Sequence, residues 1–457
     1  MSQRRYPPGP KGEILFGSMR PFAQDRLNFL IECREEYGDL VHLRILGRHA
    51  YLINDPDLVR FVLVEHPELF HKTPLFKRAT RNVIGNGLLT SEGEFHKRQR
   101  QLAQPAFHHQ RIANYGDEMV DFTRQMLDSW QPGAVLDIHE AMMQLTMQIV
   151  ARTLFHAEVV EDAHQIGTAI TTALRFATQR TARPLSLPDW VPTRTNREVK
   201  QQTALLHTTI DRIINEHRTT NADQGDLLSM LMLAEDEHGE RMSDQQLRDE
   251  AMTIFIAGHE TTANALTWTF FLLAQYPEIE RKLQDEIALL HGLPPTVNDL
   301  AHLPYTEMVI KESMRLYPPA WIVPRLAISD FELGGYPIRH NSIVFTSPYT
   351  MHRHPRYFPD PERFLPERWT PEQEKTLPRY AYFPFGGGPR VCIGNGFAMM
   401  EARLVLATIV QQVQLRLVAG QQITPEPVIT LRPAHEILMQ ADRQEIPIKP
   451  ELLVQSE

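Results

Sequence analysis

The chain has 457 residues, of which 42% are hydrophobic and 23% charged, and its formal net charge is −9. These values are those of a globular protein with enough apolar material for a large core. The mild acidity argues against nucleic acid as the main partner, because phosphate binding needs a basic surface. Two cysteines are too few for a disulfide scaffold, and no apolar stretch reaches signal-peptide or membrane-spanning length. We therefore expect a cytoplasmic protein with no membrane anchor.

The first half of the chain begins with strand signals and then becomes helical. Alternating apolar residues in 40–55 around Gly47 predict a β-hairpin, and Asp55-Pro56 predicts the start of a helix. Three segments have helical periodicity: Met119–Trp130, Ile138–Phe155 and Ala204–His217. The proline-rich stretch Thr181–Pro192 predicts a loop. Ser243-Asp-Gln-Gln246 has capping-box form and predicts a long helix through Ala274.

Beyond Pro318 the composition changes, because prolines become dense and short strand signals appear. The segment Phe331–Ile338 predicts strands, a helix is expected over 396–412, and Ile429–Leu431 is expected to pair with Ile437–Met439. The sequence contains no internal repeat and no clear interdomain linker. We therefore predict a single domain over 1–457, mainly α-helical with small β sheets.

A glycine-rich segment around the second cysteine carries the strongest chemical signal. It reads Phe385-Gly-Gly-Gly-Pro-Arg-Val-Cys392-Ile-Gly394 and immediately precedes the helix predicted to begin near Gly396. Backbone N–H groups at a helix start lower a thiol pKa, and glycines allow close approach to a flat cofactor. A thiolate is a recognised axial ligand of haem iron. A buried structural cysteine and a cysteine nucleophile are the alternatives at this point.

This segment resembles the cysteine-ligand loop of the cytochrome P-450 superfamily, Phe-x-x-Gly-x-Arg-x-Cys-x-Gly. The five fixed positions are matched by Phe385, Gly388, Arg390, Cys392 and Gly394. The resemblance implies a fold with a large helical part and a smaller β-rich part. It also implies haem b held by Cys392 as the iron ligand.

Ala257-Gly-His-Glu-Thr-Thr262 lies in the middle of the long predicted helix, where Gly258 and a threonine pair are unfavourable. A tolerated weak spot in a buried helix is one explanation. The segment also resembles the family's acid–alcohol pair in its central helix. The resemblance implies that Glu260 and Thr261 guide protons to bound O2, with Ala257 beside the haem.

Glu312-Ser-Met-Arg315 places two opposite charges on one helical face, which alone is a common surface pair. In this chain it resembles the family's buried Glu-x-x-Arg motif, completed by an arginine from a Pro-Glu-Arg segment. Arg368 is preferred over Arg363 because of its spacing to Cys392. The implied role is to support the cysteine loop.

The resemblance further implies haem propionate contacts from four residues: His96, Arg100, Arg325 and Arg390. His96 stands where the family usually has tryptophan, and its ring N–H keeps a donor there. The alternative is a solvated basic helix face. Three cations lie close together in this segment: Lys97, Arg98 and Arg100. They are expected to attract separate redox partners, a ferredoxin or flavodoxin and its reductase.

Apolar residues in several segments are implied to face the substrate: Leu88, Leu89, Phe255, Ile322, Val323 and Ala434. They predict a hydrophobic small molecule, such as a fatty acid, terpenoid or steroid. The sequences Ala-Gly-His-Glu-Thr-Thr and Lys-Glu-Ser-Met-Arg resemble those of fatty-acid hydroxylases in the family. The expected reaction is O2-dependent hydroxylation or epoxidation, with electrons from NAD(P)H passed through the redox partners. A peroxygenase or isomerase on the same scaffold and a haem sensor or carrier are the alternatives.

Overall fold

The computed structural model describes residues 6–444 apart from positions 14, 46, 158–165, 171, 174, 177–190 and 221–224. Most of the loop predicted over 181–192 lies outside the described residues. Within the described part, no helix is both long and apolar enough to cross a bilayer.

Sixteen helices are described by their bounds and numbered here in chain order: α1 Met19–Gln24, α2 Arg26–Tyr37, α3 Pro56–Arg60, α4 Pro74–Ile84, α5 Gly93–Ala103, α6 His109–Ala113, α7 Gly116–Ser129, α8 Ile138–Phe155, α9 Arg194–Thr220, α10 Leu227–Leu233, α11 Asp244–Gln275, α12 Pro277–Ile287, α13 Pro304–Leu316, α14 Pro348–Met351, α15 Pro371–Glu374 and α16 Asn395–Gln412. The strands are β1 Leu40–Ile45, β2 Arg48–Ile53, β3 Phe70–His71, β4 Ala134–Asp137, β5 Val323–Ala327, β6 Phe331–Leu333, β7 Tyr336–Ile338, β8 Ile343–Thr346, β9 Val413–Leu417, β10 Pro425–Pro427, β11 Leu431–Pro433 and β12 Leu438–Arg443.

Helix α11 runs through the main core. It begins at the predicted capping box, in which the Ser243 hydroxyl accepts from the Gln246 N–H and the Gln246 side chain accepts from the Ser243 N–H. Most of its residues from Ala251 to Leu273 are buried. A Cβ added at Gly258 would lie 3.2 Å from Val150 on α8, so the glycine lets the two helices pack closely. This contact supplies a packing reason for a residue that costs helix stability.

The largest sheet has the order β1-β2-β8-β5-β3 and contains the predicted hairpin, with Leu40 opposite Ile53. Strand β3 pairs with β5, which places His71 opposite Leu326. The pairing therefore brings the chain after His71 beside Arg325. The strands β6 and β7 form the hairpin expected within Phe331–Ile338.

The predicted pairing of Ile429–Leu431 with Ile437–Met439 is wrong. Strand β11 pairs with β10, whereas β12 lies between β4 and β9 in a three-stranded sheet. Alternation in a sequence predicts a strand but does not identify its partner, and β4 lies some three hundred residues earlier in the chain.

Candidate active site

The cysteine loop folds back on itself before α16. The Cys392 N–H donates to the Phe385 carbonyl at 2.9 Å, and Gly388–Arg390 forms a short 3-10 turn between them. Gly388 has φ +63°, and a Cβ there would lie 1.9 Å from the Leu63 carbonyl oxygen. Both the backbone conformation and the close approach therefore require glycine at this position.

The Cys392 side chain is solvent-accessible, although it lies deep among protein atoms. Burial raises the pKa of its thiol, and this outweighs the Gly394 N–H and the charge of Arg100, which both lower it. The Gly394 N–H therefore acts in the predicted direction, although burial has the larger effect on the thiol pKa in the protein without a bound metal. Coordination to a metal ion would supply the missing stabilisation of the thiolate.

Five basic side chains interact electrostatically beside this loop, and they are referred to as the basic cluster: Lys72, His96, Arg100, Arg325 and Arg390. Arg100 Nη1 donates to the Val391 carbonyl at 2.7 Å, which ties α5 to the cysteine loop. Arg390 Nη1 donates to the Ser91 carbonyl at 2.7 Å, and Arg390 also forms an ion pair with Glu92.

Burial and mutual repulsion make the basic cluster a site for anions. Burial, followed by the charges of Arg390, Arg100 and Lys72, lowers the pKa of His96 to about 4. Burial and Arg390 lower the pKa of Arg325 to about 10, and the pKa of Lys72 falls well below its usual value. Among the described residues, Glu92 is the carboxylate that acts on these side chains, and one negative charge does not balance three arginines. A bound ligand with further anionic groups would therefore be stabilised here.

The three cations proposed to attract redox partners, Lys97, Arg98 and Arg100, do not form one surface patch. Arg98 Nε lies 2.6 Å from Asp236, and Arg100 points inward to the cysteine loop. Lys97 remains largely exposed, with a 3.5 Å ion pair to Glu94. Spacing along α5 put these cations together in sequence, but the helix turns them towards different neighbours.

On α11 the predicted acid and alcohol have different environments. Glu260 is buried, its Oε1 accepts from the Thr430 hydroxyl at 2.7 Å, and burial raises the pKa of its carboxyl. The Thr261 hydroxyl donates to the Ala257 carbonyl at 2.8 Å. Ala257 is exposed in an otherwise buried stretch of the helix, so this face of α11 borders accessible space. A carboxyl and an alcohol therefore stand one residue apart at the edge of that space.

Glu312 is the centre of a buried polar network that joins α13 to residues 363–369. Its two oxygens accept from Arg315 Nε and Nη2 at 2.8 and 2.9 Å, and from the Trp369 indole at 2.9 Å. Arg368 Nε lies 3.3 Å from the same carboxylate. Arg363 contributes its carbonyl oxygen to Arg315 rather than a guanidinium, so Arg368 occupies the position predicted for the second arginine.

The predicted substrate residues do not all share one surface. Leu88, Ile322 and Val323 are partly buried and Leu89 is exposed. Phe255 is instead a core residue, nearly fully buried, with its ring edge-on to Phe155 at a centroid distance of 5.6 Å. Ala434 lines a cavity of about 710 Å³ together with polar residues such as His139, Arg432 and Glu436.

Three residues at the site were not predicted from the sequence. Lys72 joins the basic cluster through the β3–β5 pairing, and Thr430 reaches Glu260 from the turn before β11. Glu401 on α16 is another fully buried carboxyl, close to Thr262, and burial raises its pKa well above the usual value. None of them lies in a motif that identifies its partner.

Comparisons with known proteins identify the family to which the chain belongs. The model of the cytochrome P-450 family matches residues 7–441. The cyclooctat-9-en-7-ol 5-monooxygenase of Streptomyces melanosporofaciens is 41% identical, covering 84% of this chain and 84% of its own. The pentalenene oxygenase of Streptomyces avermitilis is 37% identical, covering 87% of each chain. The crystal structure of the haem domain of cytochrome P-450DA matches with a TM-score of 0.87 at 28% identity, covering 97% of this chain and 98% of that one.

The chain therefore belongs to the cytochrome P-450 family, and its α-rich fold with small sheets is confirmed. It is a cytochrome P-450 monooxygenase whose cofactor is haem b, with electrons that originate from NAD(P)H. The residues present fit this cofactor. An accessible thiol can ligate the iron, and the basic cluster beside it suits the two propionates, which are anionic at neutral pH.

Proposed function

We propose that this monooxygenase inserts one oxygen atom into a C–H bond or an alkene of a hydrophobic small molecule of terpenoid type. The observation that carries the proposal is the accessible stretch of α11 at Ala257 and Thr261 with the buried Glu260 carboxyl beside it. Isomerisation has no need of a pair that delivers protons to bound O2, because it consumes no O2.

In this proposal Cys392 binds the haem iron, and the bound haem supplies O2 activation. Phe385 and Gly394 shape the loop around the sulfur, since Phe385 accepts the Cys392 N–H and Gly394 directs its own N–H to the thiol. The basic cluster holds the propionates. Ala257 on α11 would leave room for the haem, because its side chain is small and exposed.

Glu260 and Thr261 divide the proton delivery between them. Burial raises the pKa of the Glu260 carboxyl, so this group holds its proton to higher pH than an exposed glutamate does and can act as a proton donor. The Thr261 hydroxyl is held at the accessible face by its bond to the Ala257 carbonyl, and its oxygen can accept from an incoming water. The Glu312–Arg315–Arg368 network is assigned a supporting role for the fold around the cysteine loop.

The substrate class is drawn from the relatives, one named for an alkenol and another for an alkene. These names favour a terpenoid substrate over the fatty acid that the motif sequences suggested. Leu88, Leu89, Ile322, Val323 and Ala434 remain proposed substrate contacts, whereas Phe255 is assigned to the core. A separate ferredoxin or flavodoxin with its reductase, a cytoplasmic location and a single domain over 1–457 remain predictions.

The proposal is tested with purified holoenzyme, NADPH, a ferredoxin–reductase pair and ¹⁸O₂, supplied in parallel with a cyclic terpene alkene and a fatty acid of similar carbon number. We expect one ¹⁸O atom per molecule in the terpene product, detected by mass spectrometry, and little product from the fatty acid. Products formed with hydrogen peroxide but not with O2 and NADPH would identify a peroxygenase. Ligand binding without any product would favour a sensor or carrier.

A further inference from the structure

We propose that Thr430 is a positioning residue for the Glu260 carboxyl. The inference rests on the proposed role of Glu260 in proton delivery. Thr430 lies far from every sequence motif, on the turn between β10 and β11. Its hydroxyl donates to Glu260 Oε1 at 2.7 Å, and both side chains are buried.

The turn that carries Thr430 is fixed from two sides by tryptophan indoles. Trp268 Nε1 donates to the Leu431 carbonyl at 3.1 Å, and Trp321 Nε1 donates to the Val428 carbonyl at 2.8 Å. The Leu431 N–H also donates to the Pro319 carbonyl at 2.9 Å. Because the turn is held in this way, the Thr430 hydroxyl has a defined position relative to α11, and a buried turn of this kind does not need a hydroxyl for its own backbone bonding.

Glu260, Asn264 and Trp268 follow one another at intervals of four residues, so they lie on one face of α11. Since Glu260 and Trp268 both bond to the turn, this face meets the turn along its length. Asn264 is fully buried between them, and neither atom of its amide has a hydrogen-bond partner among the described residues. Asn264 therefore adds a buried polar group to the face of α11 that meets the turn.

Arg432 connects this face to the cavity. It lies two residues beyond Thr430, acts electrostatically on Glu260, and lines the cavity of about 710 Å³ near His139 and Glu436. Its Nε and Nη2 also donate to Glu426 Oε2, at 3.0 and 2.8 Å. A cation at this boundary favours the ionised form of Glu260 after it has given up a proton.

Thr430 gives up no proton in this proposal, and none of its covalent bonds breaks. Its hydroxyl donates to Glu260 Oε1, which fixes the orientation of the carboxyl and favours its ionised form. Glu260 Oε2 is then the oxygen that gives up a proton and takes one back.

The test compares Thr430→Val with Thr430→Ser in the holoenzyme. Valine matches threonine in shape without the hydroxyl, whereas serine keeps the hydroxyl. Thr269→Val is the matched control, because Thr269 is a buried threonine of α11 that bonds to the Ala265 carbonyl. The first readout is coupling, the product formed per NADPH consumed, measured in H2O and D2O. The second is the infrared titration of Glu260, identified by the carboxyl bands that disappear in Glu260→Gln.

We expect Thr430→Val to lower coupling about 10-fold, less than the ~100-fold contribution of a general acid, and to increase the solvent isotope effect. We also expect the Glu260 titration to move to higher pH, because a hydrogen bond to the carboxylate is lost. In Thr430→Ser both the coupling and the Glu260 titration should stay close to wild type, and Thr269→Val should change neither.

Two results would overturn the inference in different ways. If Thr430→Val keeps wild-type coupling and an unshifted Glu260 titration while Glu260→Gln is uncoupled, Thr430 has no positioning role and the proposed function stands. If Glu260→Gln itself keeps wild-type coupling, the proposed role of Glu260 fails, and the role of Thr430 fails with it.

Discussion

Glu260 and Thr261 are consecutive residues of α11, yet their side chains bond to different parts of the molecule. Glu260 accepts from Thr430 on the C-terminal turn, whereas Thr261 donates to the Ala257 carbonyl one helical turn earlier. Adjacent residues of a helix project about 100° apart, so one faces the buried turn and the other the accessible space. The acid is therefore protected from bulk water, whereas the alcohol borders accessible space.

Replacing the Thr261 hydroxyl should separate electron consumption from product formation. Thr261→Ala is expected to keep substrate binding but to lower coupling by about 10- to 100-fold, with the missing electrons recovered as hydrogen peroxide. Thr261→Ser should recover most of the coupling. Thr269→Ala, which removes a similar backbone-bonded hydroxyl further along α11, serves as control. Full coupling in Thr261→Ala would remove this residue from the proposed mechanism.

The stability of the fold should depend on pH through Glu250 on α11. Its Oε2 accepts from the Leu88 N–H at 2.9 Å, and burial raises the pKa of its carboxyl from 4.5 to about 8. The folded protein therefore binds this proton more tightly than the unfolded chain does. The contribution to stability is fully present below pH 4.5 and declines as pH rises towards 8.

Glu250→Gln should remove that decline, because glutamine accepts the same N–H and does not ionise. The difference in unfolding free energy between the variant and the wild type should increase between pH 5 and 8, by up to roughly 4 kcal/mol, and then level off. Denaturant unfolding at several pH values measures it. A difference that is constant with pH would exclude a raised pKa at Glu250.

The Glu312 network should be a large contributor to stability. Glu312→Gln leaves two buried guanidinium groups without their carboxylate and is expected to cost about 3–5 kcal/mol of unfolding free energy. The exposed ion pair of Arg339 with Asp330 offers the comparison, since Asp330→Asn should leave Tm unchanged. Similar losses of stability in both variants would show that burial does not make the Glu312 network more stabilising than an exposed ion pair.

Gly388 should tolerate no side chain, for two reasons that can be separated. Gly388→Ala places a Cβ 1.9 Å from the Leu63 carbonyl oxygen and also strains a backbone with φ +63°. Gly420 has φ +84° with open space around its Cβ position, so Gly420→Ala carries the strain without the clash. We expect Gly388→Ala to lose haem, measured by the ratio of Soret to protein absorbance, and Gly420→Ala to keep it.

Local motifs predicted much of the site, because each places its residues within one loop or helix turn. The capping box of α11, the hairpin of β1 and β2, and the positions of Cys392 and Glu312 depend on short spacings. Lys72 and Thr430 could not be found in this way, since strand pairing and the docking of a distant turn bring them to the site. Phe255 was misplaced because an apolar residue of a buried helix has the same pattern whether it faces a substrate or Phe155.

The most direct measurement is the absorption spectrum of the ferrous–CO complex of the Cys392→Ala holoprotein. Cys33→Ala is the matched control, because Cys33 is a buried free thiol of α2. Ligation by the Cys392 sulfur predicts that the strongly red-shifted Soret band is lost in Cys392→Ala and retained in Cys33→Ala. An unchanged band in Cys392→Ala would contradict the assignment of this sulfur as the iron ligand.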